Sequence, residues 1–148
     1  MGIGSEAVDL GARDLGKRLY SPPQIGAAAF IGTPLPACWM LAQNYTVLGK
    51  RSQARRALVY GLLGTVALLG LACILPDKFP KMPLPLAYTF AIRELAKKLQ
   101  GAEVNAHLAA GGARQSNWRV LGVGVAGLAL VLATFVVLVL VFPKLAGE

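Results

Sequence analysis

Three stretches of this chain carry no charged residue: Leu19 to Gly49, Ala57 to Pro76 and Val120 to Pro143. A helix that crosses a bilayer needs roughly 20 largely apolar residues, and each stretch is long enough to supply one. A further segment, 84–100 ("LPLAYTFAIRELAKKLQ"), is apolar all round in its first half and amphipathic in its second, where Arg93, Glu94, Lys97 and Lys98 form a polar side. At roughly 25 Å it fits either a short span or a helix lying in the interface. The pattern predicts an all-α integral membrane bundle with three to four hydrophobic elements, at 22–48, 54–75, 84–100 and 118–142. A helical turn is expected over 102–110, stopped by Gly111 and Gly112.

Residues 5–19 ("SEAVDLGARDLGKRL") read as an amphipathic helix. Val8, Ala12, Leu15 and Leu19 recur at helical spacing, and Asp9/Arg13 and Asp14/Arg18 are i,i+4 ion pairs. The organisation expected is thus an interfacial helix within 1–20 and a membrane domain over 21–148. Residues 1–18 contain Glu6, Asp9 and Asp14 and no apolar core segment, so the first hydrophobic element is expected to direct insertion.

That first element contains its own interruption, "GTPLP". Ser21 before Pro22 and Thr33 before Pro34 are both cap-plus-N1 signals, since a proline at the first helical position loses no hydrogen bond. Two half-helices follow, 22–32 and 34–48, with Gly32 giving latitude between them. The alternative is a single kinked span, whose freed carbonyls neighbouring helices would satisfy. Further along, Ser52 is a candidate cap for 54–75, and Ser116 or Asn117 for 118–142. Gly61 and Gly64, with Ala57, form one small-residue surface, and Gly122, Ala126 and Ala129, with Ala133, form another, of the kind that lets membrane helices approach closely.

Lysine and arginine positions discriminate between topologies. With Arg93 set aside as lying within an element, four ordinary spans put eight basic residues inside and six outside, and three spans put nine inside and five outside. A re-entrant 22–48, entering and leaving on one side, puts eleven inside and leaves only Lys78, Lys81 and Lys144 outside. The last split agrees best with the positive-inside rule and places the N-terminus in the cytoplasm.

Composition agrees: 55% of the 148 residues are hydrophobic and 15% charged, against about 25% charged in average soluble chains. The net charge of +8 resides in residues that flank hydrophobic elements, above all Lys50, Arg51, Arg55 and Arg56. Attraction to anionic headgroups accounts for them, and no nucleic-acid partner is expected.

No catalytic signature is visible. G-x-S-x-G, H-E-x-x-H and phosphate-binding glycine loops are absent, and "GVGVAG" at 122–127 lies inside a span. Cys38 and Cys73 lack any ligand spacing and read as small buried hydrophobes. Glu103 and His107 resemble a metal site only by their i,i+4 spacing. Gln43 and Asn44 read as capping or inter-helix hydrogen-bonding groups, and Arg93 and Glu94 as groups that reach the interface. No enzyme, metal or cofactor is expected.

The run "YSPPQIGAAAFIGTPLPACWMLAQNYTVLG", with the charged loop, span and proline turn after it and the later "SNWRV", resembles a group of small bacterial inner-membrane proteins. Members share a Tyr-Ser-Pro start and an Asn-aromatic-x-x-Leu-Gly end to the first hydrophobic region. The resemblance covers most of 20–142 and implies a bacterial inner-membrane location; the group has no assigned activity and supplies no site residues.

The functional expectation is a non-enzymatic protein that acts in the lipid bilayer by contact with another membrane protein or with copies of itself, as an accessory subunit, assembly partner or toxin-immunity protein. The competing expectation is a small oligomeric channel or transporter. There Gly32, Thr33, Pro34 and Pro36 would line the path, because half-helix N-termini offer unpaired N–H groups to a ligand.

Overall fold

The computed structural model of the chain describes residues 16–76, 78–80 and 82–142. The order of elements is β1 (Arg18–Leu19), α1 (Pro22–Gly32), α2 (Pro34–Val47), α3 (Arg51–Ile74), α4 (Pro83–Ala109), β2 (Ala113–Arg114) and α5 (Asn117–Val141). Two of these, α3 and α5, are long and apolar enough to cross a membrane. Helix α4 has the length but carries Arg93, Glu94, Lys97 and Lys98.

The helix expected over 5–19 lies mostly outside the described residues. Its last part, 16–19, is a turn followed by β1, which pairs in parallel with β2. Leu19 and Tyr20 are drawn into the core, with 0% and 1% of their surface exposed.

Helices α1 and α2 fold back on each other as a hairpin whose turn is Thr33. Pro22 and Pro34 occupy the first turns of their helices, as a residue without an N–H can. The hairpin is the hub of the fold. Helix α1 packs against α4 and α5, and α2 packs against α3, whereas α3, α4 and α5 make at most marginal contact with one another. The core accordingly lies on the hairpin: Ile25, Ala28, Ala29, Ala37 and Met40 are fully buried.

Both ends of the hairpin, the start of α3, the later half of α4 and the start of α5 meet at one end of the molecule, here called the base. Helix α2 leaves into α3 through a Schellman turn, in which Lys50 N donates to Tyr45 O (2.7 Å) and Gly49 N to Thr46 O (3.1 Å). Gly49 has φ +77°, which a side chain would resist. Helix α3 begins at Arg51 after Lys50, two residues earlier than a Ser52 cap would place it.

Helix α4 is one continuous helix of 27 residues, joining the segment expected at 84–100 to the turn expected at 102–110. Nothing interrupts it at 100–102, because Gln100, Gly101 and Val104 are all buried at the base, where packing outweighs the weak helix propensity of one glycine. It stops at Gly111 (φ +91°), where Gly112 N donates to His107 O (2.9 Å). Helix α5 is capped by Ser116, whose Oγ accepts from Trp118 N at 3.3 Å.

Candidate functional site

Two features of the hairpin concentrate chemistry: the amides at its base and the turn at its tip.

At the base, Asn44 near the end of α2 reaches back to Tyr20, which precedes the Ser21 cap of α1. Tyr20 N donates to Asn44 Oδ1 (2.8 Å), and Asn44 Nδ2 donates to Tyr20 O (2.8 Å) and to Gln100 Oε1 (2.9 Å). Gln100 Nε2 completes the chain by donating to Leu41 O (3.0 Å). Asn44 and Gln100 are each 1% exposed, and in such surroundings a missing partner costs about 1–3 kcal/mol.

A second amide, Gln24, ties the hairpin to α5. Its Oε1 accepts from Ser21 N (3.0 Å), and its Nε2 donates to Gln115 O and to Asn117 Oδ1, both at 2.8 Å. Gln115 N in turn donates to Leu19 O (2.9 Å). Sequence reasoning singled out Asn44 alongside Gln43, which is exposed, but it missed Gln24 and Gln100. The available signal was an uncharged amide at a position where the neighbouring pattern demands an apolar residue.

At the tip, Gly32 and Pro34 are buried, and Pro36 follows them into the core. A side chain on Gly32 would run into the backbone oxygen of Gly124. Thr33 occupies the cap position but makes no side-chain cap bond; its Oγ1 is buried without a hydrogen-bond partner among the described residues. Its backbone has φ 90° and ψ 174°, a region essentially reserved for glycine.

The small residues of α3 and α5 divide by position. Gly61 on α3 lies directly against Cys38, and a Cβ added at Gly64 would stand 3.8 Å from Pro34. On α5 the close approaches belong to Gly124, which meets Ile31, and Gly127, which meets Pro36; Gly122, Ala126 and Ala129 are exposed. The helix is rotated relative to the expected stripe so that Gly124 and Gly127 can admit the tip. Cys38 and Cys73 are both free thiols, half-buried and exposed respectively.

Of the basic cluster, Lys50 pairs with Glu103, both side chains being partly exposed. His107 has a different partner, its Nε2 contacting Lys17 O at 2.9 Å. Among the described residues no group of three potential metal ligands assembles. Arg51, Arg55 and Arg56 are exposed, and Arg51 and Arg55 line a groove of about 330 Å³ between α2 and α3. A second groove, of about 370 Å³ and almost wholly apolar, lies between α2, α3 and α5.

Comparison with protein-family models, with curated proteins and with solved structures gives no match.

Proposed function

We propose that the chain is a multi-pass protein of a bacterial inner membrane, with the base in the cytoplasm, and that it acts without catalysis by binding another membrane protein or copies of itself. The observation that carries this reading is the splayed arrangement of α3, α4 and α5. Beyond the tip of the hairpin these helices do not cover one another, and Val66, Phe90 and Val136 are each more than half exposed. Membrane helices associate by close packing, and an uncovered set of helices held apart by a central wedge offers such a surface.

Charge supports the orientation. Arg18, Arg114 and the cluster from Lys50 to Arg56 belong to the base, with Lys97 and Lys98 one turn further in, whereas Lys78 is the basic residue described at the opposite end. The half-helices, of 11 and 14 residues, reach about 16–21 Å. That is short of the roughly 30 Å of a hydrocarbon core, so the hairpin would be re-entrant while α3, α4 and α5 cross. The buried amides at the base are consumed in holding the hairpin, which supports a structural role for them.

Photo-crosslinking residues in place of Val66, Phe90 and Val136 test the reading in native membranes. A discrete protein adduct from one or two of these positions is the expected result; lipid adducts alone from all three would overturn it. The oligomeric-channel reading draws on the unpartnered Thr33 hydroxyl. Ion flux through liposomes, abolished by changes at Thr33 or Pro34, would replace the present proposal with that one.

A further inference from the structure

The two grooves beside α2 adjoin, with Trp39 and Leu58 as walls of both, and together they make a cleft along the helix. On α3, Arg51, Arg55 and Leu58 follow i, i+4, i+7 spacing and form one face. On α2 the wall runs from Leu35 through Trp39 to Gln43 and Thr46. On α5, Val123, Gly127 and Leu130 close the deep end.

Polarity changes once along this cleft. Its base end holds two guanidinium groups, and no ion pair with a described residue engages either of them. Its inner end is lined by aliphatic side chains and proline. Between Leu35 and Thr46 the cleft runs about 16 Å, which is half of a roughly 30 Å hydrocarbon core. A cationic mouth, an aromatic neck and an apolar shaft one leaflet deep match a single class of ligand. We infer that the cleft binds an anionic glycerophospholipid from the leaflet on the base side.

The phosphate sits between Arg51 and Arg55, where planar guanidinium forks can donate paired hydrogen bonds to its oxygens. Gln43 is placed to hydrogen-bond the glycerol or headgroup oxygens. One acyl chain passes Trp39, whose half-buried ring suits the boundary between headgroup and tail. The chain ends among Leu35, Val123 and Leu130, filling space that the protein leaves open between α3 and α5. The bound lipid thereby joins two helices that make at most marginal contact with each other. The inference rests on insertion of the hairpin in the membrane, as read above, and not on the existence of a protein partner.

The test places the full-length protein in phosphatidylcholine nanodiscs containing a minor fraction of phosphatidylglycerol. Native mass spectrometry then counts the lipid retained after transfer to detergent. Phosphatidylglycerol should be retained in preference to phosphatidylcholine. Arg51→Gln and Arg55→Gln should each lower that retention about fivefold. Arg56→Gln, which removes the same charge from a residue outside the cleft, should lower it less than about twofold. Ala126→Phe should block the apolar shaft and lower retention with the charges intact. All four positions are exposed, so helix content and monodispersity should stay at the parent level.

Equal effects of the Arg56 and Arg51 changes, or equal retention of the two lipids, would overturn the site and leave only general attraction to a charged surface. A photo-crosslinker at Leu130 that captures a protein or a second copy in place of lipid would overturn it in favour of that occupant. Alkaline carbonate extraction separates the two levels. A chain extracted from membranes fails the insertion reading itself, whereas an unextracted chain with indiscriminate lipid retention fails only the site.

Discussion

The side-chain amide of Asn44 pairs with the backbone of Tyr20 as a neighbouring strand would, accepting from its N–H and donating to its C=O, each at 2.8 Å. The two residues are 24 positions apart and stand at the two ends of the hairpin. Their contact therefore closes the hairpin at its open end, and Gln100 locks the closure to α4. In the proposed re-entrant topology the hairpin has no second aqueous anchor at its tip, and its geometry would be held at the base and by packing along its length.

Asn44→Leu should be the most damaging single polar change. It removes the partner of both Tyr20 backbone groups and of Gln100, and the buried groups it orphans cost about 1–3 kcal/mol each. Reversible unfolding in detergent should show a loss of about 3 kcal/mol or more. Adding Gln100→Leu to Asn44→Leu should cost less than the sum of the separate losses, since the residues share one network. Strictly additive losses would mean that the network is not cooperative.

Thr33→Gly should stabilise the protein. The parent residue is β-branched and held at φ 90°, which costs on the order of 1–3 kcal/mol, and glycine adopts that conformation freely. Thr33→Val should keep the strain but remove the unpartnered buried hydroxyl, so a smaller gain is expected, about 1 kcal/mol. Thermal unfolding in detergent reads both. Destabilisation by both changes would show that the hydroxyl is engaged.

Small-residue substitutions should sort by contact and not by residue type. Gly61→Leu and Gly127→Leu drive side chains into Cys38 and Pro36 respectively, and overpacking of this kind costs about 1–3 kcal/mol. A Cβ added at Gly122 would meet nothing within 4 Å, and Gly122→Leu should match the parent. Monodispersity in size-exclusion chromatography and the unfolding midpoint separate the classes. A Gly122→Leu variant as damaged as Gly61→Leu would place an intermolecular contact at Gly122.

The orientation predicts a labelling pattern. In a Cys38→Ser/Cys73→Ser background, cysteines at Lys17 and Gln53 should both resist an impermeant thiol reagent applied to intact spheroplasts, and a cysteine at Lys78 should react. Reaction at Lys17 but not Gln53 would indicate that 22–48 crosses the membrane.

The Lys50–Glu103 pair should contribute little. Its side chains are 40% and 37% exposed, and pairs in that setting are worth at most about 1 kcal/mol, less in high salt. Lys50→Ala should shift the unfolding midpoint slightly, with the difference disappearing as salt rises.

The local grammar of this sequence determined where the helices of 22–48 and 118–142 begin and end and where that of 54–75 stops, because that information is carried by neighbours in the chain. Pro22 and Pro34 mark first turns, Gly49 and Gly111 mark stops, and the charge-free runs mark the apolar elements. The distribution of lysine and arginine also favoured a fold-back at "GTPLP", and α1 and α2 do fold back there. Tertiary structure alone decided the rest. Helix rotation chose Gly124 and Gly127 over Gly122 and Ala126 as the residues that admit the hairpin, because a stripe's facing depends on what packs against it. Burial at the base carried α4 through Gly101 to Ala109, against a local pattern that ended near 100. The amide network joins Tyr20, Asn44 and Gln100 across separations of 24 and 56 positions, and no local pattern encodes a hydrogen bond between residues that only folding brings together.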